Sequence, residues 1–565
     1  MFKDSGFMID RRFAVCLGIA SALLCGIDVG ANDYVRDLQT EAIKEGKAPV
    51  AHWGDKEDRY VSWSSHSNRL IPVYSYGTKT APEGISQSSY KGPLNPYHSE
   101  AALKRLYGRV PEKTLNPDAT YFDQTNVFDI QQAALKAGKK HIFLVVFDGM
   151  DWQTTQAAAI YLKQKVTYTE GRGDALHFQK YNAGGTAEFG YMVTSPHNEG
   201  TEVDVDTQTV KNPGGSIFGG YDPSRGGRFP WEIAPEIPYL ITAPKTDPTK
   251  QAYTDSSSSA TSMTAGIKTY NNSVNVDANG APVPTIAHLA QAVGYSVGAV
   301  TTVPICHATP AAAYAHNVHR DDYQDLTRDL IGLPSIIHPN EPLAGLDVLI
   351  GTGWGVEIPK SSGQGKNFVV GNQYFTDADK AKVSVDNGGK YVIAERTTGI
   401  AGPVTLQQGV ERAIKEHKRL LGYYGVATTG HLPFATADGD FKPSPGRSGK
   451  AEQYTDADVQ ENVTLKDMAE AAIHVLAQNP KGFWLMVEAG DVDWANHDNN
   501  LDNSIGAVIS GDNAVKAITD WVEKNSNWNE SVMIVTADHG HYLFLDHPEQ
   551  LIDPQAKVSD TGSGR

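Results

Sequence analysis

Cysteine is nearly absent: the 565 residues hold only Cys16, Cys25 and Cys306. The first two fall in an amino-terminal leader, so the rest of the chain keeps a single thiol and an internal disulfide framework is excluded. Leu24 before Cys25 is larger than the small residue that a lipid-attachment signal uses, which disfavours a lipoprotein. The apolar stretch from Phe13 to Ile27 is too short and too poorly flanked for a stable membrane span. Positive charge is in deficit. With 49 Lys and Arg against 66 Asp and Glu, the formal net charge of −17 argues against nucleic acid as the main partner. No repeat, low-complexity tract or long linker divides the chain, so one large domain with insertions is expected in place of several.

What is present fits an enzyme with a large core: 40% of residues are hydrophobic, and 54 Gly and 30 Pro supply many turns. Residues 1–31 read as a signal peptide, with Arg11-Arg12 before the apolar stretch and Val29-Gly30-Ala31 at the cleavage position, which predicts export to the periplasm or beyond. Residues 32–123, with Trp53, Trp63 and many Tyr, Ser and Pro, read as an amino-terminal extension packed on the main domain, residues 124–565.

Within that domain short apolar runs end in acids and histidines. Phe483–Val487 leads into VEAGDVDWANH, which sets Glu488, Asp493 and His497 at E-x4-D-x3-H spacing; His141–Phe147 delivers Asp148-Gly149; Val532–Thr536 delivers Asp538-His539 and Gly540-His541. Buried strands of an open α/β sheet present ligands beyond their carboxyl ends, so these segments are expected to meet at one edge. A mixed set of Asp, Glu, Thr and His suits zinc and magnesium together. Helical patterns alternate with the runs, at Thr285–Val293, Thr405–Arg419, Thr464–Ala477 and Asn513–Asn525. The fold class expected is α/β, a mostly parallel central sheet with helices on both faces. A further segment, Thr254 to Gly266, reads as small hydroxylated residues opening a helix capped by Asp or Ser. A serine at such a helix start sits among free N–H groups, which favours a bound anion.

In their order these motifs resemble the alkaline phosphatases of bacterial type, from about Lys140 onward: FDGM at Phe147–Met150, TDSSSSATSMTAGIKTYN at Thr254–Asn271, HATPAA at His307–Ala312, the E-x4-D-x3-H segment, and TADHGH at Thr536–His541. The resemblance implies hydrolysis of small phosphate monoesters through a phosphoserine, two zinc ions and one magnesium, and a homodimer. It implies Ser256 as nucleophile, with Ser257 as the fallback, and Arg320 as the clamp on two phosphate oxygens. Asp148, Asp538 and His539 match ligands of one zinc; Asp493 and His497 match ligands of the second. Asp148 would bridge to magnesium, with Thr309 and Glu488, and His541 would support the zinc without ligating it. His307 and Trp494, beside the substrate, stand where other members carry Asp and Lys. A neutral His would hold the water of the third ion less tightly, and Trp removes a cation near the phosphate.

One feature of the family is not found where it is expected. Members have a third histidine for the second zinc well downstream of the position matching His539, and here only His547 follows, in a polar DHPEQ loop. The chain is therefore expected to lack its carboxyl-terminal part. That gap motivates the alternative of a non-catalytic metal- or phosphate-binding exported protein, against which Ser256 and Arg320 speak. A phosphodiesterase of the same superfamily is the other alternative. A sulfatase is disfavoured, because Ser257-Ser258 follow Ser256 where a C/S-x-P-x-R pattern is needed.

Overall fold

The computed structural model of the chain describes residues 34–214, 217–241, 252–361 and 363–554. The expected signal peptide and the polar tail from Val558 lie outside the described residues.

The core is a ten-stranded sheet. Its strands in chain order are β1 (Ile71–Tyr76), β2 (Phe122–Asp123), β3 (His141–Phe147), β4 (Glu188–Val193), β5 (Ser296–Pro304), β6 (Val348–Thr352), β7 (Tyr391–Glu395), β8 (Arg419–Tyr423), β9 (Phe483–Ala489) and β10 (Ser531–Thr536). In space they lie in the order β7-β8-β6-β5-β9-β3-β10-β1-β4-β2. All neighbours from β7 to β10 pair in parallel, and β1 alone runs against the rest, antiparallel to both β10 and β4. Strands β9 and β10 are buried at every position, as unbroken apolar runs must be when helices cover both faces.

On one face lie α1 (Thr125–Lys136), α3 (Ser256–Ala265), α4 (Ile286–Ala292) and α5 (Ala308–Ala312). Across the sheet lie α2 (Trp152–Lys163), α7 (Gly402–Glu416), α8 (Leu465–Leu476) and α10 (Leu501–Asn525). Thr464 starts α8 with a reciprocal capping box to Asp467, the Thr-x-x-Asp pattern legible in the sequence. Helix α10 begins 12 residues before the expected Asn513. Gly506 and Gly511, ordinarily unfavourable in a helix, fall where it passes other chain closely: a Cβ on Gly511 would lie 2.3 Å from the Phe147 ring, and one on Gly506 2.2 Å from the Ala435 carbonyl oxygen.

Residues 32–123, expected as an extension packed on the domain, also lend strands to its sheet. β1 hydrogen-bonds between β10 and β4, with Val73 opposite Thr536, and β2 pairs with β4. The segment is part of the core, because β10 would otherwise expose a long apolar edge. Among the described residues no helix is long and apolar enough to cross a membrane.

Candidate active site

The carboxyl ends of β3, β5, β9 and β10 converge, as the motif grammar requires. Glu488 on β9 stands opposite Thr301 on β5 and Val146 on β3. Beyond β3, Gly149 turns with φ +71°, and a Cβ there would meet His541 Nε2 at 2.6 Å. That is the reason for Gly after Asp148. Beyond β9 the chain enters a short helix, α9 (Asp491–His497), which sets Asp493 and His497 on one face, with Asp493 Oδ1 3.5 Å from His497 Nε2.

Ser256 is the first residue of α3, whose cap Asp255 accepts from the Ser258 N–H. Its Oγ lies 3.1 Å from His539 Nε2, and it lines a cleft of about 320 Å³ together with His66, His307, Arg320, Arg447, Trp494 and His497. Ser257 is different: its hydroxyl donates to Asp255 Oδ2 at 2.7 Å, and the residue takes no part in lining the cleft. Arg320 donates from Nη1 to Asp255 Oδ2 at 3.0 Å and from Nη2 to His307 Nε2 at 3.2 Å. Burial opposes the charge of Asp255, yet Arg320 and the Ser257 and Ser258 donors hold its carboxyl below the usual range. Burial and the Arg320 guanidinium push His307 down to about 3, so it is neutral. Trp494 stacks edge-on over His431, ring centroids 4.9 Å apart, and His431 lies flat on Phe434.

His66 is the residue sequence reasoning missed. Its ring sits 3.9 Å from that of His539, centroid to centroid, and it joins Asp493, His497 and His541 in one cluster of metal-ligand atoms. His66 Nδ1 bonds the Thr254 carbonyl at 3.1 Å and His497 Nδ1 bonds the Ser64 carbonyl at 2.9 Å. A carbonyl only accepts, so both Nδ1 atoms carry the proton. With both rings neutral, each would turn an unprotonated Nε2 to the other, and these atoms are 3.1 Å apart. Two lone pairs facing at that distance call for a cation between them, and Asp493 Oδ1 is 3.9 Å from His66 Nε2. Backbone carbonyls holding the far nitrogen of metal-binding histidines are the usual orienting arrangement. His66, from residues before the domain motifs, thus stands beside Asp493 and His497. His547 stays in its loop, 57% exposed at the side chain and facing Glu549.

A second group joins Asp148, Asp493 and His539. His539 Nε2 is 3.3 Å from Asp148 Oδ1 and 3.5 Å from Asp538 Oδ2. Asp538 also accepts from the Gly149 and His539 N–H groups and from Ser259. His541 donates Nε2–H to Asp493 at 2.7 Å, which fits a support role. Both Asp148 oxygens, Glu488 Oε1 and Thr309 Oγ1 are buried without hydrogen-bond partners. Orphaned acceptors of this kind are costly unless something binds them, and oxygen-only donors suit magnesium. The residues present therefore fit two zinc-type sets and one oxygen set.

Burial pushes the Glu488 carboxyl from its ordinary 4.5 up to about 8, and burial with the neighbouring acids pushes Asp148 up as well. A folded-state value above the unfolded one means the folded chain binds more protons between those limits, so stability falls as pH rises through them. Chelator-treated protein is expected to melt lower at pH 8 than at pH 5 through this site. Glu488→Gln should flatten that slope, and added zinc and magnesium should do the same; differential scanning calorimetry checks both.

Comparison with known proteins gives a consistent picture. The sequence profile described as Alkaline phosphatase matches residues 233–394 and 437–552, so His66 and Asp148 lie outside the matched stretch. Alkaline phosphatase 4 of Bacillus subtilis is 30% identical over 51% of this chain and 49% of its own length. The alkaline phosphatase of Escherichia coli is 28% identical over 54% of this chain and 60% of its own. The chain thus spans about half to three fifths of the curated relatives it matches. A solved alkaline phosphatase from Thermus thermophilus superposes with a TM-score of 0.42 at 21% identity, covering 73% of this chain and 63% of that one.

Proposed function

Because this chain belongs to the alkaline phosphatase family, we propose that it hydrolyses phosphate monoesters through a phosphoserine at Ser256. The observation that carries this reading is a single cleft in which Ser256 Oγ, the Arg320 guanidinium and the facing His66 and His497 nitrogens meet. His66, Asp493 and His497 would hold one zinc, Asp148, Asp538 and His539 the other, and Asp148, Thr309 and Glu488 the magnesium. Bound divalent ions would neutralise the phosphate dianion and acidify hydroxyl groups near neutral pH.

The chain's own residues supply the rest. Arg320, steadied by Asp255, presents its planar fork to two phosphate oxygens. The free N–H groups at the start of α3 add partial positive charge beside Ser256. Ser256 Oγ attacks phosphorus in line with the ester oxygen; the O–P bond forms as the ester bond breaks, and the serine proton ends on the departing alcohol. Water then attacks the phosphoserine from the vacated side, the serine oxygen regains a proton, and phosphate leaves. Trp494 and the neutral His307 put no cation over the departing phosphate apart from Arg320 and Arg447, which supports ready product release. Export and a homodimer belong to the same reading, resting on the Arg11–Ala31 pattern and on the family resemblance.

Release of phosphate from an aryl phosphate, with zinc and magnesium added, tests the proposal. Turnover that EDTA abolishes and the two metals restore is expected; no turnover in the metal-loaded protein would favour the binding-protein alternative, and cleavage of a diester in preference would favour the phosphodiesterase.

A further inference from the structure

A second histidine cluster lies apart from the cleft. His316 follows α5, Asp329 sits on α6 (Tyr323–Ile331), and His338 lies in the loop beyond α6; their ligand atoms are all within 4.8 Å of one another. His316 Nε2 bonds the Val283 carbonyl at 3.0 Å, so that nitrogen holds the proton and Nδ1 turns its lone pair inward, 3.0 Å from His338 Nε2. Asp329 is fully buried. Its Oδ2 accepts the His316 backbone N–H at 2.9 Å and lies 4.0 Å from His338 Nε2, while Oδ1 has no hydrogen-bond partner. A fully buried carboxyl that turns Oδ2 toward the imidazole pair is the second sign that a ligand belongs there.

We propose that His316 Nδ1, His338 Nε2 and Asp329 form a structural zinc site distinct from the catalytic cluster. Two nitrogens and one carboxylate match the donor set zinc takes, and a tetrahedral ion with bonds of about 2.0–2.1 Å separates its donors by roughly 3.3 Å, so the histidine pair needs to move little. The Val283 carbonyl plays the orienting part that metal-bound histidines ordinarily require of a neighbour. His288 stacks flat on His316, ring centroids 5.2 Å apart and 6° from parallel, and walls the inner side of the site. His338, 19% exposed at the side chain, leaves a path for the ion and for a water as fourth ligand.

The ion would tie three parts of the chain together. Helix α5 begins beside Thr309, and the segment from Ala313 leads through His316 to Arg320; α6 and the loop after it supply the other two ligands. Zinc here would therefore brace the stretch that carries the phosphate-clamping arginine without touching substrate.

Zinc counted by plasma mass spectrometry after saturation and gel filtration tests the site. His338→Ala and the volume-conserving His338→Gln are each expected to bind one zinc fewer per chain than wild type, with cooperative melting retained and aryl phosphate turnover within about threefold. His66→Ala, which reports on the catalytic cluster, should lose its own zinc, and the losses should add in the double variant. A wild-type zinc count in either folded His338 variant overturns the proposal, whatever His66→Ala does; loss at His338 with none at His66 would leave it standing and contradict the catalytic assignment instead.

Discussion

His66→Ala is expected to remove one zinc and to lower kcat/KM for an aryl phosphate by at least about 100-fold, since replacing even a partner of a metal ligand costs about 10–100-fold. The His66 ring also packs against His539 and lines the cleft, so the rate alone does not identify a metal ligand. Asp493 keeps His541 and His497 beside it in that variant. Two readouts separate a ligand from a packing residue. Zinc content should fall by one equivalent, and high zinc concentration should restore part of the rate in His66→Ala but not in a variant damaged by misfolding. Unchanged zinc content together with unchanged kcat/KM would remove His66 from the site.

Ser256→Ala is expected to have the larger effect, on the order of 10⁴- to 10⁶-fold in kcat, the scale seen when a covalent nucleophile is deleted. Metal content should stay near the wild-type level, because the His and carboxylate groups of both clusters remain in place. Residual turnover by direct attack of water would come from the charge neutralisation and positioning that remain. Ser257→Ala is the control. That hydroxyl donates to Asp255, so its loss removes one neutral hydrogen bond and should cost no more than about tenfold. If the two variants exchanged these outcomes, the nucleophile would be Ser257 and the geometry of α3 would have been misread.

The sequence made much of the site legible for a physical reason. Buried parallel strands are unbroken apolar runs, and the residues just past their carboxyl ends point into the shared edge, so Asp148, Glu488, Asp538 and His539 could be picked out by position alone. Asp493 and His497 were legible as a spacing; the structure adds that α9 turns that spacing into one helix face. Thr464 and Asp255 were legible as caps because a helix start must satisfy its free N–H groups with side-chain oxygens.

His66 escaped that grammar because it precedes its strand. β1 runs against its neighbours, so its amino end, Ile71, lies at the same edge as the carboxyl ends of β3, β9 and β10. The apolar run Leu70–Tyr76 with a histidine four residues before it was the one local signal. Strand direction, which depends on pairing with β10 far away in sequence, could not be read locally. For the same reason residues 32–123 read as an extension packed on the domain: β1 and β2 are short, and only pairing partners distant in the chain place them in the sheet. The early start of α10 was hidden by Gly506 and Gly511, whose local cost is outweighed by the close packing that only a glycine permits.

The most direct test of the central claim is to find the phosphate on the protein. Zinc- and magnesium-loaded protein mixed with excess aryl phosphate, quenched in acid and digested, should yield the peptide containing Thr254–Asn271 with phosphate on Ser256, and the same peptide from Ser256→Ala should carry none. Turnover with no phosphorylated peptide, or with the phosphate on Ser257 or any other residue, would contradict the account.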